Sequence, residues 1–286
     1  MRSGVVNLAN PSRVAPLLGP LFIRCLYKHQ PYIRKHLFMQ STQAPTQQSA
    51  ILITGAGHRV GAQIARQLLS AGFSVLLHAH RETEFTAQMR AQSVPVLLAD
   101  FSNEQAIQAL IAAVRSHGTA LRGIIHNASA FARSDTDLTS AAKQFELFYS
   151  MHMLAPMMLS EALADHLFKY ADDSSSAADI ISITDIFADR PNPAFDLYCA
   201  SKAGLQNLSI SWAKKWAPRI KVNVIQPGPI LFQPWHSDAV KNAVLNETLL
   251  QKEGGAEVIA QAVLALLNNP YQTGSIIAVD GGRRWA

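Results

Sequence analysis

Ile51-Leu52-Ile53-Thr54-Gly55-Ala56-Gly57-His58-Arg59-Val60-Gly61 is the stretch that decides the fold. A short apolar, β-branched run gives way to a turn carrying Gly55, Gly57 and Gly61, and an amphipathic pattern from Gly61 to Ala71 follows it. Glycine lets a backbone approach a pyrophosphate closely, and the opening of a helix offers unpaired N–H groups to hold one. Such turns also serve helix packing, so it is the position directly behind the first strand that makes this one a candidate dinucleotide site.

Working outward, short apolar runs alternate with longer helical ones, the signature of βαβ units and a parallel sheet. Seven strands are predicted: Ile51 to Thr54, Ser74 to His78, Val94 to Ala99, Gly123 to His126, Asp179 to Thr184, Lys221 to Ile225 and Ser275 to Val279. Amphipathic stretches lie between them at Gly61 to Ala71, Asn103 to Ser116, Ser140 to Tyr170 and Tyr198 to Trp216. The fold class is therefore α/β, a three-layer Rossmann-like arrangement in which helices flank a seven-stranded parallel sheet. Residues Pro229 to Gly255 show no clean period and contain Pro234 and Gly254-Gly255. They are expected to form a mobile segment over the active site.

The 286 residues suffice for one large domain, expected over 50–286. The net charge of +5 is uneven, because Arg2, Arg13, Arg24, Lys28, Arg34 and Lys35 precede Met39 with no Asp or Glu among them. The remainder carries −1, so the globular part offers no basic footprint for nucleic acid. Residues 1–49 read as a basic, disordered leader: either an acid-poor targeting peptide or sequence upstream of a true start at Met39, the reading favoured here. Cys25 and Cys199 are too few for a disulfide framework and lack metal-ligand company, so a reducing, cytoplasmic setting and no metal are expected. The best apolar run, Val14 to Ile23, is broken by Pro16, Gly19 and Pro20 and is too short to span a membrane.

At the end of the second strand, where an NAD-binding protein places an acid on the ribose 2′-hydroxyl, this chain reads His78-Ala79-His80-Arg81. Potentially cationic groups there attract a 2′-phosphate, and Arg81 adds a planar fork, which favours NADPH. The plainer reading is a solvated βα loop. Tyr198-Cys199-Ala200-Ser201-Lys202 puts a tyrosine and a lysine four apart on one helix face. An ammonium beside the phenol is expected to lower its pKa and make it a proton donor near neutral pH.

With these markers stand Asp100 after strand three, His126-Asn127-Ala128 after strand four, Pro227-Gly228 after strand six, and Thr273-Gly274 through Val279-Asp280-Gly281-Gly282. From Ile51 to Trp285 the chain resembles the short-chain dehydrogenase/reductase family. Within it, Arg59, the run His78 to Arg81, Asn127-Ala128-Ser129 with Phe131, and Asp185 are similar to the pteridine and dihydromonapterin reductases. The resemblance implies a homotetramer packed through the helices of Ser140 to Tyr170 and Tyr198 to Trp216. It implies NADPH contacts from Gly55, His58, Arg59, Val60, Gly61, His80, Arg81, Asp100, Phe101, Asn127, Ala128, Tyr198, Lys202, Pro227, Gly228 and Ile230. For the substrate it implies Arg59, Ser129, Phe131, Asp185 and Tyr198, with Phe131 and the nicotinamide sandwiching a flat bicycle.

Asp185 is the informative departure, because it stands where ordinary members of that family carry a catalytic serine. A serine hydrogen-bonds a substrate carbonyl. A carboxyl beside Tyr198 can relay a proton to a ring nitrogen while hydride reaches the adjacent carbon, as reduction of a pterin C=N bond requires. The plainer reading has Asp185 capping a loop. Thr184 does not replace the serine, since alternation along the strand turns it the other way. His152 stands where many members have an asparagine, and it is expected to be a buried histidine bonded to backbone. Cys199 reads as packing, and Trp212 with Trp216 as core or interface. The expected catalytic set is Asp185, Tyr198 and Lys202, reducing 7,8-dihydromonapterin, with dihydrofolate or dihydrobiopterin as further substrates. The alternatives are a generic carbonyl reductase of the 3-oxoacyl or sugar type, and a catalytically silent NADPH-binding protein.

Overall fold

A computed structural model describes residues 49–286. The leader and the alternative start at Met39 lie outside the described residues. Seven strands form one sheet: β1 (Ala50–Ile53), β2 (Ser74–Ala79), β3 (Val96–Leu98), β4 (Leu121–His126), β5 (Ala178–Ile183), β6 (Ile220–Pro227) and β7 (Ile276–Val279). Every neighbouring pair is parallel, in the order β3-β2-β1-β4-β5-β6-β7. The architecture is the expected three-layer α/β Rossmann-like fold.

Alternation along the strands assigns the two faces. Ala50 and Leu52 join one core with Ile107, Leu159, Leu167, Trp212 and Trp216. Ile51 and Ile53 join the other with Ile64, Leu68, Ile259 and Val263. A parallel sheet covered on both sides needs such continuous apolar strands, and nearly all of β1, β2, β5 and β6 is buried. Trp212 and Trp216 stack at 5.8 Å inside the first core.

The helices are α1 (Arg59–Ser70), α2 (Glu84–Ala91), α3 (Glu104–Ser116), α4 (Leu138–Tyr149), α5 (Ala155–Ala162), α6 (Ala164–Ser174), α7 (Asp196–Trp216), α8 (Asp238–Asn246) and α9 (Ala256–Asn268). The pattern had not singled out α2 or α9. A capping box between Thr83 and Thr86 opens α2, and Arg66 of α1 lies over Phe85 at 4.6 Å. The stretch expected as one helix from Ser140 to Tyr170 is divided into α4, a π-turn at Ser150–Leu154, α5 and α6. Pro156 supplies the reason for the π-turn: it has no N–H for the turn before it and its ring crowds the carbonyl four residues back, a conflict that a wider turn relieves, while the second break falls at Leu163. The segment 229–255, expected to lack regular structure, contains α8, capped by Ser237 Oγ on the Val240 amide. Among the described residues no helix is long and apolar enough to cross a membrane.

Candidate active site

The chain reverses its direction of sheet growth between β1 and β4, and a crevice opens there at the carboxyl ends of the strands. A cleft of about 1470 Å³ occupies it. Gly55 lies at φ +67°, and a Cβ on it would come within 2.6 Å of Ala128 Cα, so only glycine fits between the first turn and the β4 loop. Thr54 locks the same junction: its Oγ1 donates to Ile125 O at 3.3 Å and accepts from the Asn127 and Ala128 amides at 3.0 and 3.1 Å. Asn127 Nδ2 returns bonds to the carbonyls of Thr54 and Gly55.

These bonds place the expected cofactor residues Gly55, His58, Arg59, Val60, Gly61, Asn127 and Ala128 along one wall of the cleft, with His80, Arg81 and Phe101 beyond them. Pro227, Gly228 and Ile230 line the opposite side. Asp100 departs from the set. Its carboxylate sits at the rim, accepting from the Ser102 amide at 2.9 Å and facing His80 Nδ1 at 3.5 Å, and does not line the cleft. The Ser102 amide is also the main cause holding it below the usual carboxylate range.

Of the potentially cationic groups expected at the end of β2, His78 is not one. His78 is buried, stacked on Phe101 at 4.1 Å, and fixed by the Gly55 amide on Nδ1 and Ala99 O on Nε2. Burial lowers its pKa to about 4, so it is a neutral brace for the glycine turn. His80 and Arg81 are the members that reach the cleft. Arg81 is in neither of the nearby ion pairs, His80–Asp100 and Arg90–Glu82. The His58 side chain makes no cap bond on α1, which leaves the first-turn amides of that helix open. Uncapped amides, with an arginine and no acid at the end of β2, fit the diphosphate and 2′-phosphate of NADPH.

On the far wall the structure brings Asp185, Tyr198 and Lys202 together. Tyr198 Oη donates to Asp185 Oδ2 at 3.0 Å, while Asp185 Oδ1 accepts from the Phe187 amide at 2.9 Å. Asp185 thus uses one oxygen to cap the turn after β5 and the other to engage the phenol. Burial raises the Asp185 carboxyl to about 6. Lys202 Nζ is buried, donates to Ile183 O at 3.1 Å, and is lowered to about 8 by burial. The expectation that the ammonium lowers the tyrosine pKa fails here. Nζ lies 5.7 Å from the Tyr198 ring centre, and burial first, then the Asp185 charge, raise the phenol well above 10. Tyr198 is thus a held, neutral O–H. Thr184 turns away as the alternation predicts, its Oγ1 donating to Ile225 O.

The aromatic side of the cleft is fuller than the sequence suggested. Phe131 stacks on Phe195 at 4.7 Å and meets Tyr198 edge-on at 4.9 Å, so one face of the expected stacking ring is already covered. Ser129 is exposed in the cleft. Arg59, at φ +53°, sends its guanidinium across to Leu231 O at 2.7 Å and Phe232 O at 3.4 Å. His152 bonds one backbone amide as expected, but also two serine hydroxyls. Met151, Phe187, Phe195, Phe232, Trp235 and Arg283 line the cleft without having been singled out. Phe232 and Trp235 belong to the segment assigned to cover the site. Arg283 carries no local signal, since it reaches the cleft through the turn of Gly281 and Gly282, both at positive φ.

Residues 55–284 match the family model described as enoyl-(acyl carrier protein) reductase. The chain belongs to the short-chain dehydrogenase/reductase family. Among its relatives in that family, the dihydromonapterin reductase of Enterobacter sp. (strain 638) is 34% identical over 236 residues, 82% of this chain and 97% of the relative. The dihydromonapterin reductase of Klebsiella pneumoniae is 34% identical over 240 residues, 84% of this chain and 98% of that one. Of solved family structures, FolM alternative dihydrofolate reductase 1 from Brucella canis complexed with NADP superposes with a TM-score of 0.73 at 25% identity, covering 83% of this chain and 94% of the other.

Proposed function

We propose that the protein is an NADPH-dependent reductase of a dihydropterin, acting on 7,8-dihydromonapterin and more slowly on dihydrofolate. The observation that carries this reading is the Asp185 carboxyl bonded to the Tyr198 hydroxyl at 3.0 Å on the wall of the cleft. The names of the relatives and the NADP in the Brucella structure support it. When bound, the nicotinamide supplies hydride. The protein's residues supply the rest. The α1 amides and Arg81 hold the phosphates, Lys202 holds the ribose, and Phe131 offers its remaining face to a flat ring. Tyr198 passes its proton to the ring nitrogen and recovers one from Asp185, whose raised pKa keeps it partly protonated near neutral pH. A serine hydroxyl at that position is too weak an acid to reprotonate the phenolate.

The test is loss of NADPH absorbance with dihydromonapterin, dihydrobiopterin, dihydrofolate and simple ketones. Turnover of dihydropterins that collapses in Asp185→Ser supports the reading. Turnover confined to ketones, kept or improved in Asp185→Ser, replaces it with a carbonyl reductase. A homotetramer is proposed alongside. It is supported by the stripe Leu138, Phe145 and Tyr149, exposed at 84%, 52% and 44% on one face of α4. Light scattering of the purified protein checks it.

A further inference from the structure

His152 is a buried titratable group beside the site that the mechanism above does not use. It sits in the π-turn between α4 and α5, packed against Phe148 at 5.6 Å and edge-on to Tyr198 at 5.7 Å. Both ring nitrogens are engaged. Nε2 lies 3.3 Å from the Ala130 amide nitrogen and 3.0 Å from Ser129 Oγ, and Nδ1 lies 2.8 Å from Ser201 Oγ.

The Ala130 amide decides the proton's place. A hydroxyl can rotate to suit its partner, but a backbone N–H cannot, and this one points at Nε2. Nε2 therefore carries the lone pair. A doubly protonated ring would set two hydrogens against each other there, and burial, with the Lys202 charge, holds the imidazole well below its ordinary pKa. The single ring proton is thus on Nδ1, donated to Ser201 Oγ, whose own hydrogen goes to Tyr198 O at 2.7 Å. It follows that Ser129 donates to the bare Nε2, its nearest acceptor at 3.0 Å, in preference to Ala130 O at 3.3 Å and the more distant Tyr198 hydroxyl. With its hydrogen turned inward, the Ser129 hydroxyl has lone pairs left for the cleft.

We propose that His152 is a positioning residue that fixes Ser129 as a hydrogen-bond acceptor toward the cleft, so that the site selects a flat ligand presenting an N–H or NH2 group there over one presenting a carbonyl. The direction of a hydroxyl bond is ordinarily free to follow the ligand. Here the choice is made before any ligand arrives, by an amide on the loop after β4 and a serine on α7. A ligand carbonyl at Ser129 would have to break the hydroxyl's bond to a buried nitrogen, leaving that nitrogen with the weaker Ala130 contact alone. The inference rests on the pterin reading solely for its kinetic probe.

Two measurements on the full-length protein test it. The first is the 15N spectrum of histidine-labelled protein, with the His152 signals assigned by their shift in the Ser129→Ala variant, whose exposed site tolerates the change. A bare Nε2 and a protonated Nδ1 across neutral pH are expected; the opposite tautomer or a charged ring overturns the proposal. The second is a cycle of Ser129→Ala, His152→Leu and the double variant with dihydromonapterin. Ser129→Ala should raise KM about tenfold, the scale of one unsatisfied ligand donor. If His152 acts through Ser129, the double variant should show a KM no higher than the worse single one, whereas losses that multiply would mean that the residues act separately. Should His152→Leu fail to fold, His152→Gln takes its place in the cycle, and the tautomer decides without either. Should the wild type leave NADPH untouched with every dihydropterin, the pterin reading falls and the tautomer still settles the polarity of Ser129.

Discussion

Replacing Asp185 by asparagine should slow the enzyme and stabilise the fold, the second effect growing with pH. Asparagine keeps an acceptor for the Phe187 amide and a polar group against Tyr198, but cannot ionise. In the folded protein the Asp185 carboxyl titrates at about 6, against an ordinary value of 3.8. The folded state therefore holds its proton where the unfolded chain has lost it, and the stability this gives falls as pH rises through that window. At about 1.4 kcal/mol per pKa unit, the raised pKa of the group costs the fold about 3 kcal/mol at pH 8, where it is ionised in both states, and about 1.5 kcal/mol at pH 5, where only the unfolded chain ionises it. Other differences between asparagine and a protonated carboxyl are the same at both pH values. Urea unfolding of wild type and Asp185→Asn at pH 5 and pH 8 should thus show the variant's advantage larger by about 1.5 kcal/mol at the higher pH. An advantage that is equal at both, or larger at pH 5, would refute the burial argument.

Tyr198→Phe removes the held hydroxyl, and kcat should fall by about 10²- to 10⁴-fold in single-turnover NADPH oxidation while the cofactor still binds. The rate on dihydropterin should decline as pH rises above about 6, because Asp185 loses its proton there, and the Asp185→Asn profile should lack that limb. Arg81→Glu should raise the KM for NADPH by about tenfold or more and narrow the preference over NADH, which paired cofactor titrations would show. Asp179→Ala breaks the ion pair with Lys221, 2.8 Å long and buried at the amino ends of β5 and β6, away from the cleft. It should cost about 3 kcal/mol in urea unfolding with little change in kcat.

The strands were legible because a sheet covered on both faces needs unbroken apolar runs, and the strand cores were placed to within a residue or two. What escaped was helical. The apolar positions of α9, among them Ile259, Val263 and Leu266, follow the glycine pair of a segment that reads as loop, and the short α2 owes its start to Thr83. The division of the long helix at Pro156 was visible as a residue but not as a consequence. At the site, Asp185, Tyr198 and Lys202 were found through spacing and resemblance. Their electrostatics were not, because a pKa answers to burial, and burial is fixed by residues distant in the chain. His78 shows this plainly: by type it belongs with Arg81, by environment it is a neutral strut under Gly55.

Lys202 reaches the carbonyl of Ile183, and Tyr198 reaches the carboxyl of Asp185. One helix is thus pinned to one strand end at two points. Four residues along the helix advance about 6 Å, and two residues along the extended chain advance about 6.6 Å, so the two rulers agree. Any insertion or deletion between the paired positions would detach one pin while leaving the other. Length variation in this protein should therefore be tolerated around the cleft and forbidden at these two short intervals, whatever molecule the cleft receives.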